Sequence, residues 1–364
     1  MKYKIFPILL ISALSISAFS QKKSTPAAQE EGFIFKPVTE LKATSVKNQA
    51  RTSTCWCFAT TSFIESELLR MGKGEYDLSE MYIIRYNYID RLKDNYLRQG
   101  KGNTGEGGLS HDWMKVFTES GIVPDEIYDG LNYGSPTHNH GEMNSFLKAL
   151  AETAIERKNE SPQYKSIIES ILDSYFGTVP ESFTYKGNIH TPKSFAQSLG
   201  ISPDDYIEIT SMTHFPFYTR GVLEVPDNWR MKSFYNVPLN ELIEIMDHAL
   251  NNGYTVNWDG DVSETGFNHK KGVAVHPEST VTQEMRQKGY ENFSTTDDHL
   301  MHITGITKDQ NGAKYYITKN SWGPESNSYG GYLNMSEQYV RAKTIFIMVH
   351  KNSIPPVIKS KLGI

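Results

Sequence analysis

The chain has 364 residues, 38% hydrophobic, 12% aromatic and 22% charged, a mix that excludes collagen-like, coiled-coil and wholly disordered chains. With 37 Lys and Arg against 42 Asp and Glu, the net charge is −5, so nucleic acid is not an expected partner. Two cysteines two positions apart cannot supply a disulfide framework.

Met1–Ser20 places Lys2 and Lys4 ahead of a mostly apolar run and ends Ala18-Phe19-Ser20, which predicts an export signal cleaved before Gln21. The run falls short of the about 20 apolar residues of a membrane span, and no later stretch could span a bilayer. The mature protein is therefore expected to be periplasmic or extracellular, without stable membrane insertion. Gln21–Glu31 reads as a polar lead-in, and 32–46 as a short extended segment.

Trp56, Ala59, Phe63, Ile64 and Leu68 recur at helical spacing, with Ser53 or Thr54 as N-cap and Gly72 and Gly74 as the stop. A second helix starts near Leu78-Ser79-Glu80, Thr104–Gly108 is a glycine-rich loop, and His111–Ser120 reads as a third helix. Met143–Lys158 and Gln163–Phe176 are amphipathic, Pro180, Pro192 and Pro203 punctuate the next stretch, and Leu239–Asn251 is helical again. Strands are predicted at Tyr254–Trp258, His299–Thr307, Lys314–Lys319, Tyr332–Met335 and Thr344–His350. Asp309-Gln310-Asn311-Gly312 is a hairpin turn signal. The order predicts an α+β fold: signal 1–20, an N-terminal lobe 21–135, a mainly helical insert 136–236, and a β-rich lobe 237–364.

Cys55 opens the first helix, where free N–H groups and aligned peptide dipoles favour a thiolate. A nucleophilic thiol needs a proton partner, and His is the side chain suited to that exchange near neutrality. A third group must hold the imidazole in the useful tautomer. The back half supplies Asp298-His299 at the start of one strand and Asn320-Ser321-Trp322-Gly323 at the end of the next. Asn320 can thus lie beside His299, and Trp322 can cover the pair. His302 is the competing histidine. Three positions from His299 on a strand, it points to the other face. Cys57, about 200° around the helix from Cys55, reads as a small buried side chain.

Gln49, Cys55-Trp56, Asp298-His299 and Asn320-Ser321-Trp322-Gly323, in this order, resemble the papain-like cysteine peptidases, and more closely their bleomycin hydrolase / aminopeptidase C branch. His299-Leu300-Met301 with Thr304-Gly305, Pro180–Tyr185 with Thr191–Phe195, Gly107-Gly108 and Gly121–Pro124 fit the same branch. The resemblance spans roughly Val46 to Pro355. It implies a two-lobe fold, helical plus antiparallel β-barrel-like, with an insert. It implies Cys55 as nucleophile, His299 as general base and acid, Asn320 as its orienter, and Gln49 with the Cys55 N–H as oxyanion donors. Gly107, Gly108 and Trp322 become the substrate-binding rim. No cofactor or metal is required, and the partner is a peptide; whether the chain forms a homo-oligomer stays open.

The chain also departs from that branch. Only 34 residues, Gln21–Thr54, precede Cys55 after the predicted cleavage, too few for a long inhibitory propeptide. Ser53 stands where relatives often carry Gly. The branch's C-terminal arm, whose carboxylate captures the substrate amine, is represented after Pro355 only by Pro356–Ile364. Aminopeptidase and open-cleft endopeptidase both fit, as do acyl transfer to an amine or thiol and, in another class, a non-catalytic peptide-binding protein. His138-Asn139-His140 reads as a solvated loop rather than metal ligands. Asp259, Asp261, Ser263 and Glu264 read as a polar strand end rather than a calcium loop.

Overall fold

The computed structural model describes residues 32–364; the predicted signal and the lead-in to Glu31 lie outside the described residues. In the front half, β1 (Lys36–Glu40) precedes α1 (Cys55–Arg70), α2 (Glu80–Leu97) and α3 (Ser110–Ser120). Next come α4 (Gly141–Glu156) and α5 (Tyr164–Phe176), the hairpin β2 (Phe183–Tyr185) and β3 (Asn188–His190), and α6 (Pro192–Leu199). Three strands close this stretch: β4 (Tyr206–Thr210), β5 (Arg220–Val222) and β6 (Ser233–Asn236). The back half runs α7 (Leu239–Asn251), β7 (Val256–Gly260), β8 (Phe267–Asn268), β9 (Val273–Ala274), α8 (Gln283–Glu291), β10 (His299–Lys308) and β11 (Lys314–Lys319). It ends with β12 (Tyr332–Ser336), α9 (Glu337–Lys343), β13 (Thr344–His350) and α10 (Pro356–Leu362).

Eleven strands form one sheet in the order β5-β6-β4-β13-β7-β10-β11-β12-β9-β8, with β1 beside the far half of β10. Most pairs are antiparallel, but β4–β6 and β12–β9 are parallel. Residues 136–236 therefore add, beyond the expected helices, a small hairpin and three strands that extend the main sheet through β4 and β13. Residues 35–364 make one compact unit.

Two apolar cores lie on opposite faces of this sheet. Trp56, Phe63, Trp113, Leu300 and Phe346 pack on the α1 face. Trp258, Met301, Ile303 and Ile347 pack with α7 and α10 on the other. The period-2 alternation along β10 produces this division: Leu300 and His302 turn to α1, Met301 and Ile303 turn away. The β10–β11 turn is built by Asp309, whose carboxylate accepts from Asn311 N at 2.9 Å and Ala313 N at 2.8 Å, with Gly312 at φ +84°.

Helix α1 is more buried than its apolar stripe alone predicts. The residues from Trp56 to Leu68 at helical spacing are covered, but so are Thr60, Ser62, Glu65 and Glu67. Polar groups on that side have partners, as burial demands. Thr44 Oγ1 donates to Glu65 at 2.5 Å, Lys319 Nζ donates to Ser62 Oγ at 2.7 Å, and Ser62 meets His302 Nδ1 at 2.9 Å. The helix is thus clasped all round, with Cys55 at its head.

Candidate active site

Cys55 is the first residue of α1, after Thr54, whose hydroxyl makes no capping bond to the helix. The preceding loop is held by Glu106: its carboxylate accepts from Ser53 N at 2.9 Å, and its carbonyl accepts from Trp56 Nε1 at 3.0 Å. Ser53 thus uses its backbone N–H to tie this loop to the glycine-rich segment. Helix α1 packs on β10, and the Leu300 N–H forms a hydrogen bond to the Cys55 sulfur. His299 is the adjacent residue, at the start of β10.

His299 Nε2 meets Asn320 Oδ1 at 2.7 Å. Asn320 Oδ1 also accepts from Ser321 N at 2.8 Å, and Asn320 Nδ2 contacts His269 Nδ1 at 3.3 Å. Donors on one side and an acceptor on the other fix the Asn320 amide. Its carbonyl oxygen requires a proton on His299 Nε2, which leaves Nδ1 as the basic nitrogen. Trp322 covers the imidazole with ring centroids 5.0 Å apart and stands 4.8 Å from the ring of His269. His269 Nε2 lies 2.7 Å from Ser326 Oγ, which donates to Gly323 O at 2.6 Å. The chain Ser326–His269–Asn320–His299 is therefore continuous. His269 has no motif around it, and sequence reasoning missed it.

Gln49 is bound to the same segment. Its backbone N donates to Ser321 O at 2.8 Å, and Ser321 Oγ donates to Gln49 Oε1 at 2.6 Å. Gln49 Nε2 donates one hydrogen to Thr52 O at 2.8 Å, leaving its second for another acceptor. Asn48 bridges Trp322. The structure thus brings Gln49, Cys55, His299, Asn320 and Trp322 together from both halves of the chain.

Gly107 and Gly108 form the adjoining loop. Arg91 of α2 donates to the Gly105 carbonyl at 2.7 Å and to the Gly107 carbonyl. A Cβ on Gly107 would stand 1.9 Å from Asp227 Oδ2, and one on Gly108 would stand 2.9 Å from the Trp56 ring. Both positions require glycine for close approach.

Burial and the helix terminus act in opposite senses on the Cys55 sulfur. Burial pushes the Cys55 thiol up to about 12, with the Leu300 N–H opposing and the carboxyls of Asp259, Asp297 and Asp227 adding to the rise. Burial also pushes His299 down to about 4, against the Asn320 bond. Burial thus works against the thiolate that the helix terminus favours, and against the imidazolium that would accompany it.

The other candidates fall elsewhere. His302 is fully buried against Ser62 and Phe63. The Cys57 sulfur contacts Glu80 O at 3.4 Å, on the side of α1 away from Cys55. The 138–140 segment is not the solvated loop expected: His140 is 1% exposed, packed on Tyr88 and Phe176, because the loop pairs with Arg51. Asp261 accepts from Ser263 N and Thr296 N, and Glu264 pairs with Lys343 at 3.1 Å, so these side chains serve the strand end.

The model of the Peptidase C1-like family matches residues 98–363, a stretch that includes His299 and Asn320. The chain belongs to this family. It is a cysteine peptidase with a papain-like α+β fold. Aminopeptidase E of Lactobacillus helveticus is 22% identical over 369 residues, covering 86% of this chain and 82% of the relative. Bleomycin hydrolase of Rattus norvegicus is 22% identical over 389 residues, covering 88% and 84%. The solved structure of PepW from Lactobacillus rhamnosis superposes with a TM-score of 0.72 at 18% identity, covering 90% of this chain and 84% of that one. This last likeness is one of fold. The family match begins at residue 98, so Gln49 and Cys55 lie outside it.

Proposed function

We propose that the protein is an exported cysteine aminopeptidase in which Cys55 attacks the peptide carbonyl, His299 moves the proton, Asn320 orients His299, and Gln49 stabilises the oxyanion. The carrying observation is the 2.7 Å bond from His299 Nε2 to Asn320 Oδ1, with the next residue's N–H on the Cys55 sulfur.

The chemistry is set by the tautomer. As Cys55 Sγ bonds to the carbonyl carbon, its proton passes to His299 Nδ1. Negative charge grows on the carbonyl oxygen, where the free Gln49 Nε2 hydrogen and the Cys55 N–H donate. His299 then gives the proton to the leaving amine, and a thioester remains on Cys55. Water loses a proton to the same Nδ1 and attacks the thioester, releasing the acid and restoring the thiol.

The aminopeptidase direction is supported by the relatives named aminopeptidase E and aminopeptidase C. Export is supported by the composition of Met1–Ser20, and among the described residues no helix is long and apolar enough to cross a membrane. Comparing hydrolysis of one aminoacyl substrate with a free and with an acetylated amine tests the first point. A preference for the free amine supports it, and equal rates reject it. A mature protein beginning at Gln21 in the extracytoplasmic fraction is the expected result for the second.

A further inference from the structure

Three carboxyl groups gather beside Cys55 that the reaction above does not use. Asp259 stands on β7 directly across the ladder from Leu300, and its neighbour Gly260 stands across from His299. Its side chain is 0% exposed, and neither oxygen receives a hydrogen bond from an N–H donor. Its polar contact is the carboxyl of Asp297, two residues before His299. Asp297 Oδ2 is likewise buried without a donor, while the Asp227 backbone N–H bonds to the Asp297 carboxyl. Asp227, from the loop after β5, lies over Gly107, and Asn103 Nδ2 donates to it at 3.2 Å. Lys343 stops at Glu264 at 3.1 Å and Asp261 at 4.0 Å, and the cation that faces Asp227 is Arg91, which also holds the Gly107 carbonyl.

The arrangement costs the enzyme twice. Buried carboxyl oxygens without donors are unfavourable, and negative charge beside the sulfur opposes the thiolate that the reaction needs. Both costs are relieved when a cation with several N–H donors arrives. The free amino end of a peptide is such a group, and it lies two bonds from the first carbonyl carbon, the atom that Cys55 attacks. Carboxyl groups next to the sulfur therefore suit selection of the first peptide bond.

Residues 356–364 do not supply this charge. They form α10 and its cap on the far face of the sheet, with Ile358 and Leu362 in the α7 core and Lys361 paired to Glu241 at 2.6 Å.

We propose that Asp259 and Asp297, with Asp227 at the rim, form the pocket that binds the substrate's free α-ammonium, taking from the sheet the role that the resemblance gives to a C-terminal arm. This rests on the aminopeptidase reading. Burial and then Asp227 push Asp297 up to about 8, and burial and Asp297 push Asp259 well above its ordinary range. Both shifts favour the protonated forms, and an ammonium beside the pair favours the charged ones.

The test uses the whole chain with leucyl-aminomethylcoumarin and its N-acetyl counterpart, in wild type, Asp259→Asn and Asp297→Asn. Both replacements keep shape and remove the charge. Labelling of Cys55 by a thiol-directed epoxide reports that the site is intact in each, and Asp297, at a more open position than Asp259, carries the test should Asp259→Asn not fold. In wild type, leucinamide is also expected to protect Cys55 from the epoxide at lower concentration than N-acetyl-leucinamide. The expected result is a wild-type preference for the free amine that falls at least tenfold in both variants, mainly through KM of the free-amine substrate. Preference retained in labelled variants overturns the carboxyl pocket and leaves the aminopeptidase reading standing. No preference in wild type overturns both.

Discussion

Ser321 Oγ donates to Gln49 Oε1 at 2.6 Å. The residue after the His299 partner thereby orients the amide that is to meet the oxyanion. Truncating Gln49 to Ala is expected to lower kcat by about 10²–10³, as for loss of one oxyanion donor. Ser321→Ala leaves the donor present but free to rotate, with an expected loss of about tenfold. If Ser321 acts through Gln49, the double variant is no slower than Gln49→Ala alone. Steady-state kinetics of the four proteins measure this coupling; additive losses contradict it.

Gly107→Ala places a methyl group within 1.9 Å of Asp227 Oδ2 while Arg91 holds the Gly107 carbonyl. Either the loop or Asp227 must move. A raised KM for free-amine peptides and a lowered Tm are the expected outcomes, by kinetics and thermal denaturation. Gly134→Ala, where nothing lies within 4 Å of the added carbon, controls for general glycine loss, although its positive φ adds modest strain of its own.

The pH–rate profile is governed by His299. Burial, opposed by Asn320, holds it down to about 4. It accepts the thiol proton only when neutral, so kcat/KM for a blocked peptide is expected to hold through about pH 6 and fall as pH drops through about 4. An acid limb centred near the ordinary histidine value would contradict the buried neutral imidazole.

Stability has a separate acid limb. His140 is buried among aromatic rings, with neither ring nitrogen hydrogen-bonded, and burial pushes it down to about 3; His138 is at about 4 for the same reason. Between the unfolded value near 6.5 and these folded values, only the unfolded chain binds the proton. Each such pH unit costs about 1.4 kcal/mol per histidine. Denaturant midpoints are therefore expected to fall as pH drops below about 6.5, and His140→Phe to flatten that slope.

Much of the site was legible because its chemistry is written in short motifs. Cys55 precedes a helical apolar stripe, His299 and Asn320 flank one hairpin, and the strand ends are marked by alternation and the Asn311-Gly312 turn. The features that were not legible depend on burial and on partners far along the chain. The upward push on the Cys55 thiol comes from desolvation, which the helix terminus does not report. His269 reaches Asn320 from an irregular segment without a motif. Asp259 reads as a polar strand end until the ladder sets it opposite Leu300. The polar side of α1 looks solvent-facing until Lys319, Thr44 and His302 cover it. Strands β4 to β6 are short, and their place in the main sheet depends on β13, more than 100 residues away.

The most direct measurement is acid quench of the enzyme during turnover of an activated aminoacyl ester, followed by peptide mass spectrometry. An acyl group held as a thioester on Cys55 is expected, absent in Cys55→Ala together with peptide hydrolysis. Acylation at any other residue, or turnover surviving in Cys55→Ala, would show that this sulfur is not the nucleophile.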